Sequence, residues 1–237
     1  MKFVYFNLKN HPRGNIILQD LLNNNLIPCA IIEEKSSLAV KNCEGILSVF
    51  KNSSEKFPLT NDLILQRDIP FFEVDNHNDL QCEKILKQLG DIDLIVLGDT
   101  RIIKKNILNI PKIGIINSHP GYLPDVRGNN PYIWAIINDL PQGCSVHFID
   151  EGVDTGDIIL REMINLSEYN SYINLLKKIN STCANLIVQA VLQIKNNNFS
   201  RTPQANLKFV GKNIYNAKEF FASPEEVKKL AIKKMES

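Results

Sequence analysis

The 237-residue chain has little excess charge and lacks long apolar runs. Its 27 Lys and Arg residues nearly balance 26 Asp and Glu residues, which leaves a formal net charge of +1. Proteins that bind nucleic acid or membrane surfaces usually carry a basic excess. No apolar run approaches the roughly 20 residues needed to span a bilayer, and the first apolar segment turns polar too soon for a signal peptide. We therefore expect neither nucleic acid nor a membrane as a partner.

Cysteines are few and scattered. The five residues are odd in number and have neither CxxC spacing nor the pattern of a disulfide framework. This usage is typical of reduced, mostly buried thiols in a cytoplasmic protein. A catalytic cysteine is not favoured, because none lies beside the histidine motif described below. The apolar fraction of 44% and the charged fraction of 22% are ordinary for a soluble globular protein.

Strand-like and helix-like stretches alternate through the first two thirds of the chain. This order predicts an α/β fold with a doubly wound, mostly parallel sheet. The predicted strands are Lys2–Leu8, Pro28–Glu33, Phe71–Val74, Leu94–Leu97 and Ile113–Asn117. The predicted helices are Asn15–Asn24, Asn78–Leu89, Lys104–Leu108 and Pro131–Ile137.

The pattern changes in the last third. Cys144–Ile149 and Asp157–Arg161 are short strand-like runs joined by one turn, which predicts an antiparallel pair at the sheet edge. A long amphipathic helix is predicted over Tyr172–Lys195. The tail that follows contains a strand-like Ile214–Tyr215 and a helix start at Ser223, with proline next. We predict a catalytic domain over 1–198 and a small C-terminal extension over 199–237.

Two polar segments carry the chemistry. Residues 117–128 read Asn-Ser-His-Pro-Gly-Tyr-Leu-Pro-Asp-Val-Arg-Gly, and residues 150–156 read Asp-Glu-Gly-Val-Asp-Thr-Gly. Asn117 and His119 come where a predicted strand ends, and open parallel sheets bind ligands beyond that end. An asparagine amide can stabilise an oxyanion, a histidine can take a proton near neutral pH, and Asp154 could orient the imidazole. This set can move an acyl group onto an amine without a covalent enzyme intermediate.

A metal site is the alternative function for residues 150–156, which we call the acidic turn. Asp150, Glu151, Asp154 and Asp157 could supply carboxylates, but no histidine pair at ligand spacing accompanies them. We therefore expect no metal.

The two segments resemble the core signature of the folate-dependent formyltransferases. That signature reads Asn-x-His-Pro-x-x-Leu-Pro-x-x-Arg-Gly, followed by Asp-x-Gly-x-Asp-Thr-Gly, and every fixed position is present here. The resemblance implies a Rossmann-like formyltransferase core that uses 10-formyltetrahydrofolate as co-substrate. It also implies that Asn117, His119 and Asp154 form the catalytic set.

A second segment looks like the pterin-binding stretch of the same family. It runs from Leu97 to Ile103, where a predicted strand gives way to a helix. By this resemblance, main-chain groups would pair with the pterin edge, and the acidic turn would close the other side. The implied cofactor-binding residues are Thr100, Arg101, Ile102, Ile103, Ile149, Asp150, Gly152 and Asp154.

The branches of this family differ in the molecule that accepts the formyl group and in the elements that surround the core. The tail is expected to be too short for the C-terminal barrel of methionyl-tRNA formyltransferases. The chain is also expected to lack the N-terminal regulatory domain of formyltetrahydrofolate hydrolases, because a predicted strand begins at Lys2. Glycinamide ribonucleotide enzymes open with a glycine-rich phosphate loop. Residues 7–15 contain one glycine here, and Pro12 removes a backbone donor.

The remaining branch is the sugar-nucleotide N-formyltransferases. The resemblance implies formylation of a nucleotide-linked amino-deoxysugar, such as a dTDP-4-amino-4,6-dideoxyhexose, for the O-antigen of lipopolysaccharide, with a homodimer formed through the extension. Candidate substrate-binding residues are Arg13, Tyr122, Asp125 and Asn129. Two alternatives stay open: a phosphoribosylglycinamide formyltransferase of purine biosynthesis, and a non-catalytic folate- or nucleotide-binding protein.

Overall fold

The computed structural model describes residues 1–208, 229 and 231–235. Within these residues, seven strands form one sheet in the order β3-β2-β1-β4-β5-β6-β7. The strands are β1 Phe3–Leu8, β2 Ala30–Glu34, β3 Phe71–Val74, β4 Leu94–Leu97, β5 Gly114–His119, β6 Gly143–Phe148 and β7 Ile158–Met163. The first five run parallel, and β6 and β7 run antiparallel to their neighbours. The predicted doubly wound sheet with an antiparallel edge is confirmed.

Helices cover both faces of the sheet. They are α1 Pro12–Asn23, α2 Ser37–Val49, α3 Thr60–Ile64, α4 Leu80–Gln88, α5 Lys105–Leu108, α6 Pro131–Ile137 and α7 Tyr172–Lys195. Short 3-10 turns lie at Leu166–Glu168, before α7, and at Gln204–Asn206, after it. Helix α1 begins three residues before the predicted start, because Pro12 takes a first-turn position where its missing N–H costs nothing. The predicted strand at 214–215 and helix start at 223 lie outside the described residues.

Alternate residues of the central strands enter two separate hydrophobic clusters. Phe3 and Tyr5 of β1 join the cluster formed with α1, α6 and α7. Val4 and Phe6 join the cluster on the opposite face, formed with α4 and α5. This period of two follows from the pleat of a strand, and burial on both faces explains why β1 and β4 are almost wholly apolar.

The strand order also fixes where a ligand can lie. The chain builds β1, β2 and β3 outward in one direction and then crosses to β4 on the other side of β1. The connections therefore leave the sheet in opposite directions at the carboxyl ends of β1 and β4, which opens a crevice there. Strand β5 borders this crevice, with Asn117 paired to Leu97 of β4 and to His147 of β6.

Candidate active site

Asn117 lies near the carboxyl end of β5. Its side chain is half-buried, and its amide makes no hydrogen bond with another described residue. A buried strand neighbour on each side holds its backbone in register. The amide is therefore held by the sheet and is available to donate to an oxygen in the crevice.

His119 ends the same strand and is 3% exposed. Its Nε2 lies 2.8 Å from the carbonyl oxygen of Val126, and its Nδ1 lies 3.6 Å from Oδ2 of Asp154. The second distance exceeds a normal hydrogen bond, but contacts of this kind often tighten when substrate binds. The structure thus brings Asn117, His119 and Asp154 to one end of the sheet.

Asp154 is held by both its backbone and its carboxylate. Its φ of +53° lies in the left-handed region, which aspartate tolerates better than most residues. The N–H of Gly128 donates to Oδ2 at 2.8 Å. This bond joins the acidic turn to the loop that follows His119, so the two sequence segments meet in space.

Other residues of the acidic turn shape it. Oδ1 of Asp150 accepts hydrogen bonds from the Gly152 N–H at 3.0 Å and the Thr155 hydroxyl at 2.7 Å. A Cβ on Gly156 would lie 2.0 Å from the carbonyl oxygen of Phe148, so no larger residue fits. The glycine at position 156 of the motif is therefore sterically required.

His147 is a second histidine beside the same carboxylate. Its Nε2 lies 3.6 Å from Oδ1 of Asp154, and its Nδ1 lies 2.8 Å from the carbonyl oxygen of Phe148. Its ring meets that of His119 edge-on, with centroids 6.2 Å apart. Burial lowers the pKa of His147 to about 4, so the ring is neutral at pH 7.

The predicted pterin segment is fixed to the sheet through Arg101. Its Nε donates to Oε2 of Glu34 at 2.7 Å, and its Nη2 contacts Oε1 of the same carboxylate. Burial alone would raise the pKa of Glu34, but hydrogen bonds involving His77, Arg101 and Ser36 outweigh it and lower the pKa. The Arg101 side chain is thus committed to Glu34, at the end of β2.

The other predicted pterin residues lie along the same edge. Thr100 is half-buried, Ile102 is exposed and Ile103 is buried. Ile149, from the other predicted segment, packs against the cluster that contains Ile103. Asp150 and Gly152 are exposed, and the neighbouring Glu151 lies 3.0 Å from the Lys105 ammonium at the start of α5. The two segments predicted to bind the pterin therefore lie on one face of the sheet.

The four predicted acceptor-binding residues differ in their surroundings and exposure. Arg13 is ion-paired with Asp99, at the carboxyl ends of β1 and β4. The ring of Tyr122 lies under the Arg161 guanidinium, 4.6 Å from its carbon. Asp125 is buried, and Asn129 is the exposed member of the four.

Among residues 1–208, 229 and 231–235, no group of three or more His, Cys, Asp or Glu residues is placed to hold a metal ion. In the same residues, no helix combines the length and apolar character required to cross a bilayer.

Comparison with known proteins identifies the family. A family model described as Formyl transferase matches residues 25–191, and this chain belongs to that family. The methionyl-tRNA formyltransferase of Pelotomaculum thermopropionicum is 35% identical over 141 residues, which cover 59% of this chain and 45% of the relative. The chain spans about half the length of the curated relatives it matches.

Solved structures share the fold. A sugar N-formyltransferase from Shewanella sp. superimposes with a TM-score of 0.64 and 19% identity, covering 94% of this chain and 79% of that chain. A formyltransferase from Anoxybacillus kamchatkensis, in complex with UDP-4,6-dideoxy-4-formamido-L-AltNAc and tetrahydrofolate, gives 0.57 and 18%, covering 98% and 99%. Glycinamide ribonucleotide transformylase 1 from Symbiobacterium toebii gives 0.63 and 18%, covering 83% and 89%.

Proposed function

We propose that this protein transfers a formyl group from 10-formyltetrahydrofolate to the amino group of a nucleotide-linked amino-deoxysugar. One observation carries the formyl-transfer part. The amide of Asn117, which makes no hydrogen bond with the described residues, lies near the end of β5, two residues before the histidine of the His119–Asp154 pair. An oxyanion donor and a proton acceptor therefore face one crevice, as the attack of an amine on a formyl group requires.

Each residue has a distinct step in the proposed reaction. Asn117 donates its N–H to the formyl oxygen as the amine nitrogen bonds to the formyl carbon and negative charge develops. His119 takes the proton that the attacking nitrogen loses, and Asp154 stabilises the resulting imidazolium. The bond from the formyl carbon to N10 of the folate then breaks, and the proton passes to N10. The products are a formamido sugar and tetrahydrofolate.

The donor is proposed to bind along the edge formed by Thr100, Arg101, Ile102 and Ile103. The Arg101 side chain is held by Glu34, and the Ile102 carbonyl oxygen accepts from Asn78, which leaves the other main-chain groups of this stretch to meet the pterin. Ile149, Asp150, Gly152 and Asp154 form the opposite wall. The compared formyltransferase from Anoxybacillus kamchatkensis supports this donor, since it is in complex with tetrahydrofolate.

The start of α1 supports a sugar nucleotide over glycinamide ribonucleotide as acceptor. A phosphate nest needs free N–H groups and no anion nearby. Here Pro12 lacks the N–H. The Asp99 carboxylate is ion-paired with Arg13, and its Oδ2 lies 3.7 Å from Nδ1 of His11. The cation at this helix end, Arg13, is therefore already paired with Asp99, and the Asp99 charge offsets its attraction for a phosphate.

Methionyl-tRNA is the second candidate acceptor, because the curated sequence relatives carry that activity. The nearly neutral charge of the sequence disfavours it, since binding to a nucleic acid backbone normally relies on a basic surface. We further propose that the formamido sugar serves O-antigen synthesis in the cytoplasm, and that residues 199–237 support a homodimer. The paired His119 and Asp154 disfavour a role in binding alone.

A mass-spectrometric turnover assay tests the proposal. The purified chain and 10-formyltetrahydrofolate are mixed with dTDP-, UDP- and GDP-linked amino sugars, glycinamide ribonucleotide and methionyl-tRNA in separate reactions. We expect one sugar nucleotide to gain a single formyl group. Formylation of methionyl-tRNA or glycinamide ribonucleotide alone would overturn the sugar acceptor. Binding of the folate without turnover of any amine would overturn the enzyme assignment.

A further inference from the structure

A buried glutamine after the last long helix connects the two motif loops. Gln204 is 3% exposed and lies in the 3-10 turn Gln204–Asn206. Its Oε1 accepts hydrogen bonds from Nε and Nη2 of Arg127, at 3.0 and 2.8 Å. Its Nε2 donates to the carbonyl oxygens of Asp154 and Gly156, at 2.9 and 2.8 Å. The amide thus uses both donors and both acceptor sites.

These bonds close a ring of contacts around Asp154. Arg127 directly precedes Gly128, whose N–H donates to the Asp154 carboxylate at 2.8 Å. Gln204 therefore holds the backbone of Asp154 directly and the donor to its carboxylate through Arg127. A residue in the left-handed region persists only when its surroundings fix it, and Gln204 supplies two of the fixing bonds.

The segment that carries Gln204 is itself anchored. We call residues 199–207 the C-terminal strap. Thr202 and Ile158 exchange two backbone hydrogen bonds of 2.9 Å, as an antiparallel bridge at the start of β7. Arg201 donates to the carbonyl oxygen of Ile113 at 2.8 Å and lies 3.6 Å above the ring of Phe148. The strap is therefore bound to the sheet on both sides of the turn that it holds.

We propose that Gln204 is a positioning residue, which sets Asp154 for its work on His119 without touching substrate. The assignment rests on the proposed formyl transfer. Gln204 lies beyond residue 191, where the family match ends, and it was not singled out from the sequence. Its action requires both polar atoms of the amide, because Oε1 holds the Arg127 loop and Nε2 holds the acidic turn.

Two substitutions separate the contributions of Oε1 and Nε2. Gln204→Met keeps the shape of the side chain and removes the hydrogen bonds of both atoms. Gln204→Glu keeps an acceptor for Arg127 but cannot donate to the carbonyl oxygens of Asp154 and Gly156. Gln142→Met is the matched control, since Gln142 is also buried, at 4% exposed, and donates to a main-chain carbonyl oxygen, that of Tyr132 in α6.

The kinetic test uses 10-formyltetrahydrofolate and the amino-sugar nucleotide that the acceptor panel identifies. We expect kcat to fall about 10- to 100-fold in both Gln204 variants, because small displacements of a catalytic group have effects of that size. KM for both substrates should change by less than about threefold, because Gln204 does not contact them. Gln142→Met should keep its kcat. A Gln204→Glu variant with unchanged kcat, or an equal loss in Gln142→Met, would overturn the proposal.

Amide hydrogen exchange tests the same inference without any substrate. The Gly128 N–H should exchange about tenfold faster in Gln204→Met, because its acceptor loses support. It should stay as protected in Gln142→Met as in the unaltered chain. If the chain formylates none of the acceptors, the proposed function fails and exchange alone decides the role of Gln204. Unchanged protection of Gly128 in Gln204→Met would then refute that role.

Discussion

Nδ1 of His119 and Oδ2 of Asp154 lie 3.6 Å apart, although His119 ends strand β5 and Asp154 lies in the turn between β6 and β7. Oδ1 of the same carboxylate lies 3.6 Å from Nε2 of His147. One carboxylate therefore faces two imidazoles. Of the two rings, that of His119 is on the strand that carries Asn117, whereas that of His147 is wholly buried and neutral at pH 7.

Removing either member of the His119–Asp154 pair should stop formyl transfer. We expect His119→Ala and Asp154→Ala each to reduce kcat about 10²- to 10⁴-fold, the range of general acid–base catalysis. Circular dichroism should show an unchanged fold with a cooperative thermal transition. Asp91→Ala, which changes an exposed carboxylate paired with Lys112, is the control and should keep full activity. Retained turnover in either site variant would refute the assigned mechanism.

Replacing Asn117 should affect the rate more than stability. Asn117→Ala removes one oxyanion donor, so kcat should fall about 10²- to 10³-fold. The melting temperature should change little, because the amide makes no hydrogen bond with the described residues. Asn117→Asp places a negative charge where the oxyanion forms and should be slower still. Steady-state kinetics of both variants would check this order, and equal rates in Asn117→Ala and the unaltered chain would contradict it.

Glu34 should stabilise the protein at neutral pH but not in acid. Its pKa in the folded chain is below its ordinary value of 4.5, so the folded state favours the charged carboxylate. That contribution is present above the unfolded pKa and is lost as pH falls through the folded pKa. Glu34→Gln should therefore lower the free energy of unfolding at pH 7.

Urea unfolding at several pH values measures this difference. The gap between Glu34→Gln and the unaltered chain should shrink steadily below pH 4.5. Glu44→Gln, which changes a glutamate in α2 that makes no described ion pair, is a suitable control and should show no such gap. A gap that stays constant between about pH 7 and about pH 3 would mean that the carboxylate charge is not what Arg101 and His77 recognise.

Two glycines should respond oppositely to alanine. Gly156→Ala places a Cβ 2.0 Å from the Phe148 carbonyl oxygen, so the acidic turn must shift and both stability and kcat should fall. Gly45 lies within α2, and a methyl group added there would meet nothing within 4 Å. Gly45→Ala should raise the free energy of unfolding by about 0.5–1 kcal/mol at unchanged kcat. Thermal melting and turnover of the pair check both signs, and a stable, active Gly156→Ala would show that the turn tolerates a side chain.

Much of the fold could be predicted from local pattern. The bounds of β3, β4, α6 and α7 agree with those predicted, because each combines a clear hydrophobic period with a proline, glycine or polar boundary. Helices α2 and α3 were not predicted. Helix α2 buries only Ala39, so its sequence shows no inward stripe, and its exposed apolar residues obscure the helical period.

The site was predictable as far as its motifs extend. The spacing of Asn117 and His119 on one strand, and the turn that holds Asp154, are local features. The partners that hold the site are not. Arg101 pairs with Glu34, and Arg127 with Gln204, across distances in the chain that no local pattern encodes. The carboxylate and the glutamine amide each resemble ordinary polar residues until the fold buries them.

The bridge between Thr202 and Ile158 also protects the sheet edge. Strand β7 is the last strand in the sheet order, and the strap covers its first residue. Uncovered strand edges offer unpaired N–H and C=O groups to other chains and promote aggregation. A chain cut directly after α7 would lose this cover. We expect it to precipitate as it is concentrated, whereas a chain that keeps residues 199–207 stays in solution.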